Sequence, residues 1–236
     1  MRLPGLGGWS EDPLWSHVYP WLVDSGPVGR AAWRVGMGSN LTLLHDAAAE
    51  IGTLPAGSRV LDVPTGSGVA LRGLRPGQGL DVVVADISTT MLDRARETAS
   101  RLGVADQVTT ALADVGDLPF DDGTFDLVVS FTGLHCFPHP RRAIGEMVRV
   151  LAPGGAISGS SLFTDTGPRY APLRIAGTRA GVLGPMCTSD EARAWLREAG
   201  CSRVDLTLHG GLGYFRAVRA PEAPAGAAPE APGGAG

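Results

Sequence analysis

The sequence predicts a doubly wound α/β domain: a seven-stranded mixed sheet with helices on both faces, an antiparallel last strand and an N-terminal helical cap. Three observations predict it. Short apolar runs bounded by Gly, Asp and Pro recur from residue 60 onward, and helical patterns separate them. The last two runs are joined by Gly210-Gly211-Leu212-Gly213, a connection of hairpin length.

In chain order, residues 1–52 form the cap. Asp12 is placed to cap a helix carrying Leu14, Trp15, Val18, Trp21 and Leu22, which Pro20 interrupts. A second helix covers residues 28–37 behind Pro27. A third covers 41–51, with Ser39 as its potential cap and Gly52 as its stop. Strands are predicted at 60–63, 82–87, 108–115, 127–131 and 156–163, with helices at 69–74 (short), 89–102 and 141–151 between them. That rhythm makes a parallel sheet. A helix at 189–199 and strands at 204–208 and 214–218 complete the domain, which spans residues 53–219 with an insertion at 164–188. Residues 220–236 hold only Ala, Pro, Glu and Gly, a composition that buries nothing and predicts a disordered tail.

Composition narrows the function classes. With 44% hydrophobic and 19% charged residues the chain can build a sizeable core. Its 20 basic and 24 acidic residues leave a net charge of -4, the wrong balance for binding nucleic acid by broad phosphate neutralisation. Every basic residue is Arg. Without a Lys, Schiff-base chemistry and a P-loop are excluded. Cys136, Cys187 and Cys201 are too few and too scattered for a disulfide framework or a zinc knuckle. No leader-like start and no apolar run of about 20 residues is seen, so the expectation is a soluble cytoplasmic protein with no membrane partner.

The sharpest chemical signal is the run Val60-Leu61-Asp62-Val63-Pro64-Thr65-Gly66-Ser67-Gly68-Val69-Ala70. A buried strand enters a tight turn whose glycines let backbone N–H groups approach a ligand ahead of a predicted helix. Eighteen residues after Gly68 the next strand ends at Asp86, an acidic side chain placed to accept both hydrogen bonds of a ribose diol. A dinucleotide-dependent oxidoreductase would want G-x-G-x-x-G, whereas Gly68 is followed by Val69, Ala70 and Leu71.

Five blocks then resemble one family in order: Asp62-x-x-x-Gly66-x-Gly68; Asp86-Ile87-Ser88; Ala113-Asp114-Val115; the stretch from Leu118-Pro119-Phe120 through Asp126; and Arg149-Val150-Leu151-Ala152-Pro153-Gly154-Gly155. They are similar to the class I S-adenosylmethionine-dependent methyltransferases, in the branch of the ubiquinone and menaquinone C-methyltransferases and of many small-molecule enzymes of secondary metabolism. The resemblance covers residues 58–163. It implies a Rossmann-like fold, S-adenosyl-L-methionine as cofactor, and methyl transfer to oxygen or carbon of a small organic metabolite. One departure is Pro64, where the family usually has Gly; proline has no N–H, so one backbone contact is missing there.

The resemblance also implies roles. Asp62 orders the loop and accepts from the ligand's amino group; Pro64, Thr65, Gly66 and Gly68 carry the methionine part. Asp86 holds the ribose, with Ile87 and Met91 flanking the adenine, although Met91 at helical spacing from Ala95 also reads as plain core. Asp114 accepts the adenine amino group and Val115 offers its backbone N–H. Ser130 and Phe131 face the sulfonium end. Ser130 stands where the catechol-type enzymes place a metal-binding Asp, so no metal is expected. Cys136 follows His135 rather than a proline, which reads as a passive thiol.

An acceptor hydroxyl or acidic carbon would gain from a general base, and His suits neutral pH. Of His17, His45, His135, His139 and His209, the first choice is His135, at the edge where the parallel strands end; it also reads as a capping residue that only shapes the site. His17, on the first helix, is the second choice. Trp15, Tyr19, Trp21 and Trp33 would form an aromatic lid. With Tyr170, Arg169, Arg174 and Arg179 of the insertion, they suggest a mid-sized, partly apolar acceptor. A second reading keeps the cofactor site but catalyses a cyclisation or rearrangement.

Overall fold

The computed structural model describes residues 26–222. The first predicted helix, with His17, Trp15, Tyr19 and Trp21, lies outside them, as does most of the tail.

The seven strands are β1 (Arg59–Asp62), β2 (Asp81–Asp86), β3 (Val108–Leu112), β4 (Phe125–Phe131), β5 (Leu151–Leu162), β6 (Cys201–His209) and β7 (Leu212–Arg219). They form one sheet in the order 3-2-1-4-5-7-6. β7 alone runs against its neighbours, pairing antiparallel with both β5 and β6. The order reverses at β1, with β2 on one side and β4 on the other, so a crevice opens at the carboxyl ends of these strands.

Two cores explain why the central strands read as continuous apolar runs rather than alternating ones. Leu61, Val83, Val128 and Ile157 point to one face, where they meet α4 (Pro140–Arg149) and α6 (Ser189–Glu198) through Ile144, Met147 and Leu196. Val60, Val82, Val84, Leu127 and Val129 point to the other, against α1 (Gly26–Met37), α2 (Leu41–Ala49) and α3 (Thr89–Leu102).

The helix ends follow local chemistry. α3 stops at Gly103, whose φ of 71° is the left-handed cap that glycine adopts without cost. α6 starts with a capping box between Thr188 and Glu191. The cap of α2 is Asn40, not Ser39: Asn40 is the extended residue, and its side chain accepts the Thr42 N–H at 3.1 Å while Ser39 is buried.

Two further expectations change. The short helix at 69–74 is one 3-10 turn, Ala70–Gly73. The few residues between Gly68 and Gly73 are too short to nucleate an α-helix, so no α-helix N-terminus backs the glycine turn. Trp33 belongs to the core, at 1% exposure, and not to a lid. The insertion contains a helix, α5 (Ala171–Arg179), which buries none of its side chains; it is held by Tyr170 just before it, buried beside Gly38 and Gly211.

Candidate active site

At the end of β1 the chain is pinned to both neighbouring strands. The Val63 N–H donates to the Val129 carbonyl at 3.0 Å, and two residues later the Thr65 N–H donates to Ala85 at 2.9 Å. Just before these anchors, at the last residue of β1, the Asp62 carboxylate faces the crevice, where Thr65 Oγ1 donates to it at 2.7 Å. The next N–H, that of Gly66, donates to Asp86 Oδ2 at 3.0 Å, and the other oxygen of Asp86 accepts from the Ser88 N–H at 3.0 Å. Gly66 needs its left-handed φ of 52° to face that carboxylate.

A cavity of about 320 Å³ lies over this turn. Asp62 and Asp86 line one wall; Ile87, Met91, Ala113 and Val115 form an apolar slot with Asp114 at its exposed side; Phe131, Thr132, His135 and Phe137 close the far end. No Arg is among the lining residues. Two buried carboxylates with no cationic partner among the described residues make the cavity electronegative. Burial pushes Asp62 up to about 7, with the Thr65 hydroxyl lowering it and the nearby Asp86 charge raising it. Burial also raises Asp86, against the N–H groups of Ser88, Gly66 and Ile87.

Ten of the twelve residues singled out as cofactor-binding line this cavity: Asp62, Pro64, Thr65, Gly66, Asp86, Ile87, Met91, Asp114, Val115 and Phe131. Gly68 and Ser130 do not. Gly68, at φ 80°, sits against Ala95 and Thr98 of α3, and Thr98 Oγ1 donates to the Ser67 carbonyl at 2.9 Å, so this glycine brings helix and turn together. Ser130 is fully buried where β4 pairs with Gly159 of β5, and Thr132 takes its expected place on the wall. Thr132 is one of two non-glycine residues with positive φ among the described residues, and its N–H is held by Ser160. Pro64 packs on Gly133 so closely that any side chain at Gly133 would overlap its ring.

His135 is the histidine of the cavity wall, buried to 7% exposure on the 3-10 turn Leu134–Cys136. Its Nδ1 accepts the Leu162 N–H at 3.1 Å, and burial alone lowers its pKa to about 4. The ring is neutral at physiological pH. Sequence reasoning missed Val69, Ala70, Phe137, Pro138 and Gly181, which also line the cavity. Gly181 comes from the insertion, and no periodicity in the sequence points to it.

Residues 61–158 match a family described as a methyltransferase domain. The chain is 43% identical over 102 residues to a demethylmenaquinone methyltransferase of Clavibacter sepedonicus, a match covering 43% of this chain and 40% of that protein. It is 34% identical over 166 residues to the 27-O-demethylrifamycin SV methyltransferase of Amycolatopsis mediterranei, covering 67% of this chain and 59% of that protein. The matches thus span 40–59% of the length of these two relatives. Among solved structures, a phosphoethanolamine N-methyltransferase of Haemonchus contortus in complex with S-adenosyl-L-methionine superposes with a TM-score of 0.69 at 16% identity, over 88% of this chain and 57% of that one. That likeness is one of fold.

Proposed function

The chain belongs to the class I S-adenosylmethionine-dependent methyltransferases, and on that premise we propose that it transfers a methyl group from S-adenosyl-L-methionine to oxygen or carbon of a small organic metabolite. The observation that carries the reading is the cavity itself: buried, electronegative, and divided into a carboxylate wall and an apolar slot. A cationic ligand with a ribose diol, an ammonium group and a planar base matches that donor set. When bound, it supplies a methyl group already activated by the sulfonium.

The residues of the chain then bind and align. Asp86 accepts from the ribose hydroxyls with the lone pairs that Gly66 and Ser88 leave free. Asp62 faces the amino group, Thr65 and Gly66 border the methionine part, and Ile87, Met91 and Val115 sandwich the base, whose amino group meets Asp114. Phe131, Thr132 and Phe137 close the end where the acceptor enters and keep water out. No covalent intermediate is needed; alignment and desolvation of two bound reactants are worth about 7–11 kcal/mol when well arranged.

The names of the relatives, a demethylmenaquinone and a 27-O-demethylrifamycin SV methyltransferase, support a small-molecule acceptor. That Cys136, Cys187 and Cys201 form no disulfide with one another supports a reducing compartment, the cytoplasm. No helix of the described residues is long and apolar enough to cross a membrane. The acidic balance supports an acceptor other than nucleic acid, and secondary metabolism is the setting that the family resemblance implies. We place the helical cap at residues 1–52, the catalytic domain at 53–219 and a tail at 220–236, on composition and pattern.

Thermal unfolding with S-adenosyl-L-methionine, S-adenosylhomocysteine or NAD tests the reading. The first two, at 100 times their dissociation constants, should each add about 2.7 kcal/mol of stability, and NAD should add none. Stabilisation by NAD alone would overturn the proposal.

A further inference from the structure

Leu162 is the last residue of β5, and its position is set by pairing with Leu212 across the sheet. Its N–H donates to His135 Nδ1 at 3.1 Å. A backbone N–H can only donate, so Nδ1 must present its lone pair. The hydroxyl of Ser161 lies 3.4 Å from the same nitrogen, but it donates to the Leu162 carbonyl at 3.0 Å and does not alter this. The one proton of the neutral ring is therefore on Nε2. That atom has no partner among the described residues, and His135 lines the cavity.

A general base needs the opposite arrangement. To take a proton at Nε2, the ring must start as the Nδ1–H tautomer and end as imidazolium. Both states carry a hydrogen on Nδ1, facing the fixed Leu162 N–H at hydrogen-bond distance. Each would exchange a good hydrogen bond for two opposed donors in a buried place.

We propose that His135 works as a neutral hydrogen-bond donor through Nε2–H, and that it selects acceptors presenting an oxygen lone pair, a carbonyl or an ionised hydroxyl, beside the atom to be methylated. The inference rests on the methyltransferase reading for the identity of the acceptor, but not for the state of the ring. An acceptor held this way comes to the cavity needing no proton removed by His135. The other titratable groups of the wall, Asp62, Asp86, Asp114 and Cys136, are not among the causes of the depressed His135 pKa, which is burial alone.

Nitrogen-15 NMR of histidine-labelled full-length protein tests the ring directly, without substrate. The His135 signals are assigned with His135→Gln, and by elimination from single variants of the other four histidines if that variant does not fold. Nδ1 should be bare and Nε2 protonated throughout pH 5 to 8. A proton on Nδ1, or a titration inside that range, would overturn the proposal while leaving cofactor binding intact. With S-adenosylhomocysteine present, 1,4-naphthoquinone should shift the Nε2–H proton and naphthalene should not. The same response to both, or to neither, overturns the oxygen assignment.

Discussion

Asp86 accepts the backbone N–H of Gly66 at 3.0 Å, so the carboxylate at the tip of β2 holds the glycine turn that follows β1. One side chain thereby shapes the turn and faces the site. Asp86→Ala removes the acceptor for the N–H groups of Gly66, Ser88 and Ile87, as well as the proposed ribose partner. Affinity for S-adenosylhomocysteine should fall by about 1.5–3 kcal/mol, and stability should fall as well. Calorimetric titration and urea unfolding measure the two losses separately; unchanged affinity would refute the ribose assignment.

Cofactor affinity should depend on pH through Asp62. With its pKa near 7, this carboxyl is largely protonated below neutrality, whereas a cationic ligand beside it favours the ionised form. Binding then releases a proton. Affinity should rise with pH below about 7, by at most about ten-fold per unit, and level off above. Asp62→Asn should bind more weakly at pH 8 and lose the slope; a slope that survives in the variant would place the titration elsewhere.

Stability carries two opposed pH terms. Between 3.8 and about 7 the folded chain keeps a proton on Asp62 that the unfolded chain has lost, so stability falls as pH rises. Between about 4 and 6.5 the unfolded chain holds a proton on His135 that the folded chain refuses, so stability rises as pH rises. Each slope is about 1.4 kcal/mol per pH unit. They oppose one another over most of the window, with Asp86 acting in the same sense as Asp62. Compared with the parent, His135→Gln should therefore lose more stability from pH 4 to 6.5, and Asp62→Asn less. Urea midpoints across that range give the signs, and two variants with the same slope would contradict the assignment.

Two glycines should respond in opposite ways to alanine. At Gly159 a Cβ would lie 2.5 Å from both the Ser130 carbonyl and the Phe215 ring, neither of which can move without disturbing the sheet. Gly159→Ala should destabilise by about 1–3 kcal/mol. Gly145, inside α4, has nothing within 4 Å of its Cβ position. There, alanine should stabilise by about 0.5–1 kcal/mol. Thermal unfolding of the pair checks both signs.

Much of the fold is local and was legible in the residues. Apolar runs, their spacing and the Gly210-Gly211 turn were sufficient to predict seven strands with the last reversed, because strand and turn preferences act over a few neighbours. Asp62 and Asp86 were legible for the same reason, since each ends a strand on the edge where a parallel sheet opens its crevice. Tertiary packing decided the rest. Ser130 and Phe131 are adjacent, and only the seating of β4 against β5 determines that Ser130 is sealed while Phe131 reaches the cavity. Gly68 looked like a ligand contact and proved to be the place where α3 touches the turn, 27 residues before Ala95 in the chain. The protonation of His135 depends on an N–H that also lies 27 residues away, at Leu162. Hydrogen bonds between distant strands have no signature in local sequence, and it is one of these that determines what His135 can do.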